Sequence, residues 1–302
     1  MLRRQLLIAF LKTRPLANQL AQVYGRTLTG IVYIQTTALL GRLRLNSLSD
    51  VERLVQPFVN GERDSLANMS ASHLSGHLLF AELHKLTRNS LYEQRVQAAA
   101  SRAELSVYNG MSDGVFMGCP ILAHAGQIEK ATAHFAALEK LCLRSDGLWR
   151  HSPLCDAAWG RGNAFPALGL ALTLEAAPNL KKLRKAYTNL CATLAKYQTA
   201  NGLWRQVIDH PTAYEEFSAT AMIATAMRKG IRNGWLPKRS YQPLVDRAWQ
   251  AISSRTTPTG ELKDVCESTG KQTTLAAYLT RRAISGLDPR GGAMALYFAT
   301  EK

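Results

Sequence analysis

A chain of 302 residues that is 46% hydrophobic and 20% charged is too apolar to be disordered, and it is long enough for one large core or two ordinary ones. Its formal net charge of +15 favours polyanionic partners such as nucleic acid, anionic lipid or an acidic polysaccharide. The basic residues are dispersed, though, and the densest cluster, Lys181, Lys182, Arg184 and Lys185, reads as a solvated helix face, so charge alone selects none of these.

In chain order, Arg3 and Arg4 precede a short apolar run, Leu6 to Leu11, and Lys12 and Arg14 follow at once. The run is shorter than most signal-peptide cores and has no convincing small-residue cleavage site, so it reads as a first helix of a cytoplasmic protein. No apolar stretch reaches the roughly 20 residues that span a bilayer, so no membrane is expected. Residues 16–45 carry the spacing of one or two helices. Asn46, Ser47, Ser49 and Asp50 break the chain before a helix bearing Val51, Leu54 and Val55, which Pro57 disturbs. His73 to Leu86 reads as one amphipathic helix. His73, His77 and His84 are spaced so that two could meet, but no carboxylate joins them, and no metal site is expected.

Leu91 to Val107, Ile128 to Leu143, Leu180 to Gln198, Ala219 to Met227, Tyr241 to Ile252 and Thr273 to Ile284 read as further helices. Asn109-Gly110 and Asp113-Gly114 read as turns, Thr256 to Gly270 as a loop, and Ala293 to Ala299 as a last apolar segment. Almost nothing alternates with period two, so essentially no extended sheet is expected. Cys119, Cys142, Cys155, Cys191 and Cys266 form no CxxC pair and suggest neither a zinc knuckle nor a disulfide framework.

Ser145 to Leu174, SDGLWRHSPLCDAAWGRGNAFPALGLALTL, is the densest stretch in chemistry. Trp149, Arg150, His151, Asp156, Trp159, Arg161 and Asn163 crowd a polar loop that ends at a helix start. It reads either as a site or as a surface loop with satisfied polar groups. Part of it repeats: Asp146-Gly147-Leu148-Trp149-Arg150 returns as Asn201-Gly202-Leu203-Trp204-Arg205, and at the same 55-residue offset Trp159 falls on Tyr214. Gly260-Glu261-Leu262 offers a third copy and Asp113-Gly114-Val115-Phe116 an earlier echo. Repeated helical pairs either stack as a solenoid or close into a ring. Closure would gather Asp113, His151, Asp156, Trp159, Arg161, Gln206, His210 and Glu215 at one mouth.

WGRGNAFPALGLAL, followed by YQTANGLWRQVIDHPTAYEEFSATAMIATAMRKGIRNGWL and preceded by SDGVFMGCPILAHAG, resembles glycoside hydrolase family 105, the unsaturated rhamnogalacturonyl hydrolases. That family is related to the unsaturated glucuronyl hydrolases of family 88. The likeness runs from about Tyr108 to Trp249. It implies an all-α fold, a single (α/α)6 toroid over residues 1–302, with no metal or organic cofactor. It implies hydrolysis that removes a 4,5-unsaturated uronic acid from the non-reducing end of an acidic oligosaccharide, by protonation of the vinyl ether and addition of water. Asp113 stands at the family's first important Asp. Asp156, the one carboxylate between His151 and Trp159, is the expected general acid/base, although that interval is short for the family. His151, Trp159, Arg161, Asn163, Trp204, Arg205, Gln206 and His210 are the expected substrate contacts, with Trp159 and Trp204 stacking on sugar and Arg161 or Arg205 holding the uronate. Neither nucleic acid nor membrane is an expected partner, and the oligomeric state is left open.

Three other readings stand beside this one. The first is a toroid acting on a different acidic glycan, as hydrolase or lyase. The second is a non-catalytic glycan-binding relative, which the short His151–Trp159 interval would suit. The third is a helical-repeat nucleic-acid binder, which draws only on net charge.

Overall fold

The computed structural model describes residues 15–301, so the amino-terminal run from Leu6 to Leu11 lies outside the described residues. Helices alternate between two rings. The inner ring is α2 (Tyr33–Leu43), α4 (Ala71–Gly76), α7 (Gly114–His124), α9 (Gly160–Ala176), α11 (Phe217–Arg232) and α14 (Pro289–Thr300). Each packs on the next, and α14 closes the circle on α2. Between them in the chain run α1 (residues 15–23), α3 (Leu48–Val59), α5 (Leu78–Thr87) with α6 (Ser90–Ser101), α8 (Ile128–Cys142), α10 (Lys181–Ala195) and α12 (Lys238–Ser254). The fold is an (α/α)6 toroid.

Composition decides which ring a helix joins. In α7 every residue from Gly114 to Ala123 is buried, and so is every residue of α14 from Gly291 to Thr300. A helix apolar on all sides must be covered on all sides. In α10 only Leu183, Tyr187, Leu190, Cys191 and Leu194 are buried, a single stripe that docks on α9. Small residues bring the inner helices close: a Cβ at Gly169 of α9 would sit 2.6 Å from the Phe116 backbone of α7.

Three copies of the repeat share one turn. Gly147, Gly202 and Gly260 have φ of 85°, 87° and 82°, a left-handed conformation that favours glycine. Each donates its N–H three residues back, to Arg144, Thr199 and Thr257, at 3.1, 2.9 and 2.9 Å. The echo at Asp113-Gly114 is different, because Gly114 opens α7 and the left-handed pair is Asn109 and Gly110.

Strands and breaks appear where none were expected. β1 (Trp204–Arg205) pairs with β2 (Glu215–Glu216), and β3 (Leu262–Cys266) pairs with β4 (Ala283–Gly286). The expected loop over Thr256–Gly270 therefore contains a strand. The expected helix over Thr273–Ile284 shrinks to α13 (Leu275–Leu279) followed by β4. The expected helix over His73–Leu86 is broken at His77, whose ring is fully buried and bonded to Ser65 Oγ at 3.1 Å.

Inner helices that share a direction put their ends at two separate mouths. At one lie their C-termini, around a 670 Å3 cavity lined among others by Arg44, His124, Glu175, Lys229 and Arg232. Basic side chains there offset the partial negative charge of the helix ends. At the other mouth lie the N-termini, and with them the polar loops.

Candidate active site

Tyr33 opens α2, and Asp113, Trp159, Glu216 and Asp288 immediately precede α7, α9, α11 and α14. Converging helix N-termini make this mouth attractive to anions before any side chain is counted. Two of its carboxylates are engaged with their own helices. Glu216 accepts N–H bonds from Ser218 and Ala219, and a third from Cys266 at 2.9 Å. Asp288 accepts from the N–H groups of Arg290 and Gly291 and pairs with the Arg290 guanidinium at 2.6 Å.

Asp113 caps nothing. Its Oδ1 is buried without a hydrogen-bond partner and lies 3.4 Å from His151 Nε2, which is buried and unpartnered as well. Buried polar atoms are nearly always bonded, so two orphans facing each other mark a place kept for function. Ser112 Oγ and Gln206 Oε1 are also buried without partners. Tyr33, half-buried beside Asp113 and Arg161, keeps its proton because burial pushes the phenol up to about 12.

The loop before α9 is built to hold His151. Its ring is fully buried, 4.5 Å from the Trp159 ring, and its Nδ1 is 2.9 Å from the Tyr278 hydroxyl. Its carbonyl accepts the N–H of Ser112 at 2.9 Å, which ties the loop to the residue before Asp113. Gly162 leaves room for this, since a Cβ there would sit 3.2 Å from Ser112 Oγ and 3.5 Å from His151 Cα. Asn163 locks the loop: its Oδ1 accepts from Trp149 N–H at 2.8 Å, and its Nδ2 donates to the carbonyls of Trp149 and Trp159 at 2.8 and 3.0 Å.

Several expected contacts are placed elsewhere or are already engaged. Asp156 is not gathered with Asp113 and His151. Its side chain is 76% exposed and paired with Arg150 at 2.8 Å, so it lacks the burial that the acid role asks for. Trp204 is fully buried and donates to the Leu194 carbonyl at 2.7 Å, and Trp159 is 2% exposed, so neither offers a face to a sugar. Arg161 is buried and donates to Ser218 Oγ, the Cys266 carbonyl and the Glu267 carbonyl at 3.1, 2.6 and 3.0 Å. Burial opposes its charge and is the largest single influence, but Glu216, Cys266, Tyr33 and Asp113 together outweigh it and hold the guanidinium above its ordinary range. Arg161 is thus a brace rather than a carboxylate clamp. Arg205 donates to the Ala213 carbonyl at 3.1 Å, His210 bonds Thr212 at 3.1 Å, and Glu215 pairs with Arg255 at 2.8 Å.

Of the expected set, Asp113 Oδ1, His151 Nε2 and Gln206 Oε1 are buried without hydrogen-bond partners. Tyr278 was missed by the sequence reading, as were Tyr33 and Ser112. The only sequence signal for Tyr278 was the third repeat copy just ahead of it. Among the described residues no group of three or more His, Cys, Asp or Glu could hold a metal ion, and no helix is long and apolar enough to cross a membrane.

Comparison with known proteins points the same way. The model of Glycosyl Hydrolase Family 88 matches residues 25–302. An unsaturated 3S-rhamnoglycuronyl hydrolase of Formosa agariphila is 37% identical over 101 residues, 32% of this chain and 27% of that protein. An unsaturated rhamnogalacturonyl hydrolase of Bacillus subtilis is 29% identical over 115 residues, 37% of this chain and 31% of that protein. These matches thus span less than a third of either relative's length. The crystal structure of a possible member of the GH105 family from Klebsiella pneumoniae superposes with a TM-score of 0.81 at 21% identity, covering 96% of this chain and 92% of that one, and it shares the fold.

Proposed function

The chain belongs to glycosyl hydrolase family 88, and from that premise we propose that it removes a 4,5-unsaturated uronic acid from the non-reducing end of pectin-derived, rhamnogalacturonan-type oligosaccharides. The observation that carries this reading is the Asp113–His151 pair, whose facing atoms Oδ1 and Nε2 are buried 3.4 Å apart without hydrogen-bond partners, at a mouth ringed by helix N-termini.

The chemistry asks for a carboxyl that gives a proton to carbon and later takes one from water. Asp113, in its protonated form, delivers the proton to C4 of the vinyl ether. Positive charge develops at C5 and the ring oxygen, water bonds to C5, and its proton passes to the Asp113 carboxylate. The hemiketal so formed opens and the neighbouring sugar leaves. His151 holds Asp113 oriented. The helix N-termini favour the substrate's carboxylate, and the net charge of +15 draws an acidic oligosaccharide towards the protein.

The test is a panel of lyase-digested polysaccharides, followed by the ultraviolet absorbance of the conjugated C4–C5 double bond. Loss of absorbance on rhamnogalacturonan digests is expected. Turnover confined to glycosaminoglycan digests would overturn the pectin assignment, and no turnover on any digest would overturn the activity.

A further inference from the structure

We propose that Tyr278, carried by the β3–α13–β4 insertion, is a positioning residue that fixes His151 as its Nε2–H tautomer and so aims that hydrogen at Asp113. This rests on the reading of Asp113 as the proton-transferring group.

The argument follows one chain of hydrogen bonds. The Tyr278 hydroxyl lies 2.9 Å from His151 Nδ1 and accepts the backbone N–H of Gln272 at 3.3 Å. A hydroxyl can accept twice but has one hydrogen, and in the proposed arrangement that hydrogen goes to Nδ1. Burial pushes the Tyr278 phenol up to about 12, so it keeps that hydrogen at neutral pH. A neutral imidazole has one N–H, and with Nδ1 accepting, that N–H is on Nε2. Nε2 faces Asp113 Oδ1 at 3.4 Å.

An Nε2–H facing the buried Oδ1 across 3.4 Å, too poorly aligned here to be a hydrogen bond, leaves the exposed part of the carboxyl, 18% of the side chain, to carry the transferable proton. The opposite tautomer would set a nitrogen lone pair against an ionised carboxylate and repel it. The insertion is anchored for this task. Tyr278 is fully buried, its ring meets His151 edge-on at 5.8 Å, and its carbonyl accepts from Gln206 Nε2 at 2.8 Å. The proposal also accounts for a strand pair and short helix interrupting the last helical repeat.

The experiment reads the tautomer directly. Protein labelled with 15N-histidine is compared as wild type, Tyr278→Phe and His151→Gln, the last assigning the His151 signals among the seven histidines. Wild type is expected to show Nδ1 unprotonated and Nε2 protonated. Tyr278→Phe is expected to mix the tautomers and to lower kcat about 10- to 100-fold, with KM little changed. Wild-type His151 carrying its proton on Nδ1 would overturn the proposal, whatever the variants do. So would an unchanged kcat in Tyr278→Phe, or a lowered kcat with the tautomer intact, since the phenol would then act through packing. If no digest is turned over, the hydrolase reading fails, while the tautomer result still stands or falls by itself.

Discussion

Asp113 and His151 meet across 3.4 Å because their backbones are already joined one residue away, where Ser112 N–H donates to the His151 carbonyl at 2.9 Å. The start of α7 and the loop before α9 are therefore one unit. The quality of the site depends on how firmly that loop is held, and the strongest hold on it is Asn163.

Asn163→Leu leaves the Trp149 N–H and the Trp149 carbonyl without their partners inside the protein, while the Trp159 carbonyl keeps the backbone N–H of residue 163 at 3.0 Å. The expected loss is about 2 kcal/mol or more, because each orphaned buried group costs roughly 1–3 kcal/mol. Asn163→Asp keeps the acceptor for Trp149 N–H and should fall between that variant and wild type. Urea unfolding checks the order.

Gly169→Ala tests ring closure. The new Cβ would meet the Cα and N of Phe116 at 2.6 Å, which are backbone atoms that cannot rotate away. The inner helices α7 and α9 must then part, at a cost of about 1–3 kcal/mol. The midpoint of urea unfolding should fall by a matching amount, whereas Gly270→Ala, with open space around it, should leave it unchanged.

The helical repeat was legible because its signals are local and repeated, while its closure into a toroid was implied by the family resemblance. The left-handed glycines at Gly147, Gly202 and Gly260 and the apolar runs of α7 and α9 could be read in one dimension. The site was half legible. His151 and Gln206 follow two copies of the repeated turn and come together with Asp113, although the Asp113-Gly114 echo is not itself such a turn, and tertiary burial decides what a side chain can do. Trp204 looked like a sugar platform and is core. Arg161 looked like a clamp, but its guanidinium is bonded to carbonyls of Cys266 and Glu267, more than a hundred residues away in sequence, which no local pattern foretells. Asp156 was singled out as the one carboxylate in its interval, and the chain there turns it outward to Arg150. Tyr278 lay hidden in an apolar stretch with helical spacing: it does sit in a short helix, α13, but what that helix packs against is set by the flanking β3–β4 pair, which the spacing does not show.

His77 should make the protein acid-sensitive. Burial depresses its imidazole to about 4 in the folded state, against about 6.5 in an unfolded chain. Below about pH 6.5 the unfolded chain takes a proton that the folded one refuses, so stability falls as pH drops from 6.5 to 4 and is level above that window. The full contribution is about 3 kcal/mol. His77→Gln should be less stable at neutral pH and lose less on acidification. Thermal melts of both proteins from pH 7 to pH 5 check this, and parallel curves would remove His77 from the account.

The central claim is that Asp113, and not Asp156, moves the proton. The direct measurement is the rate at which the C4–C5 double-bond absorbance of lyase-digested rhamnogalacturonan is lost, with wild type, Asp113→Asn and Asp156→Asn side by side. Asp113→Asn is expected to lower kcat about 100-fold or more, while Asp156→Asn, altering an exposed ion pair, should keep nearly the wild-type rate. Normal turnover by Asp113→Asn, or abolished turnover by Asp156→Asn, would contradict the account.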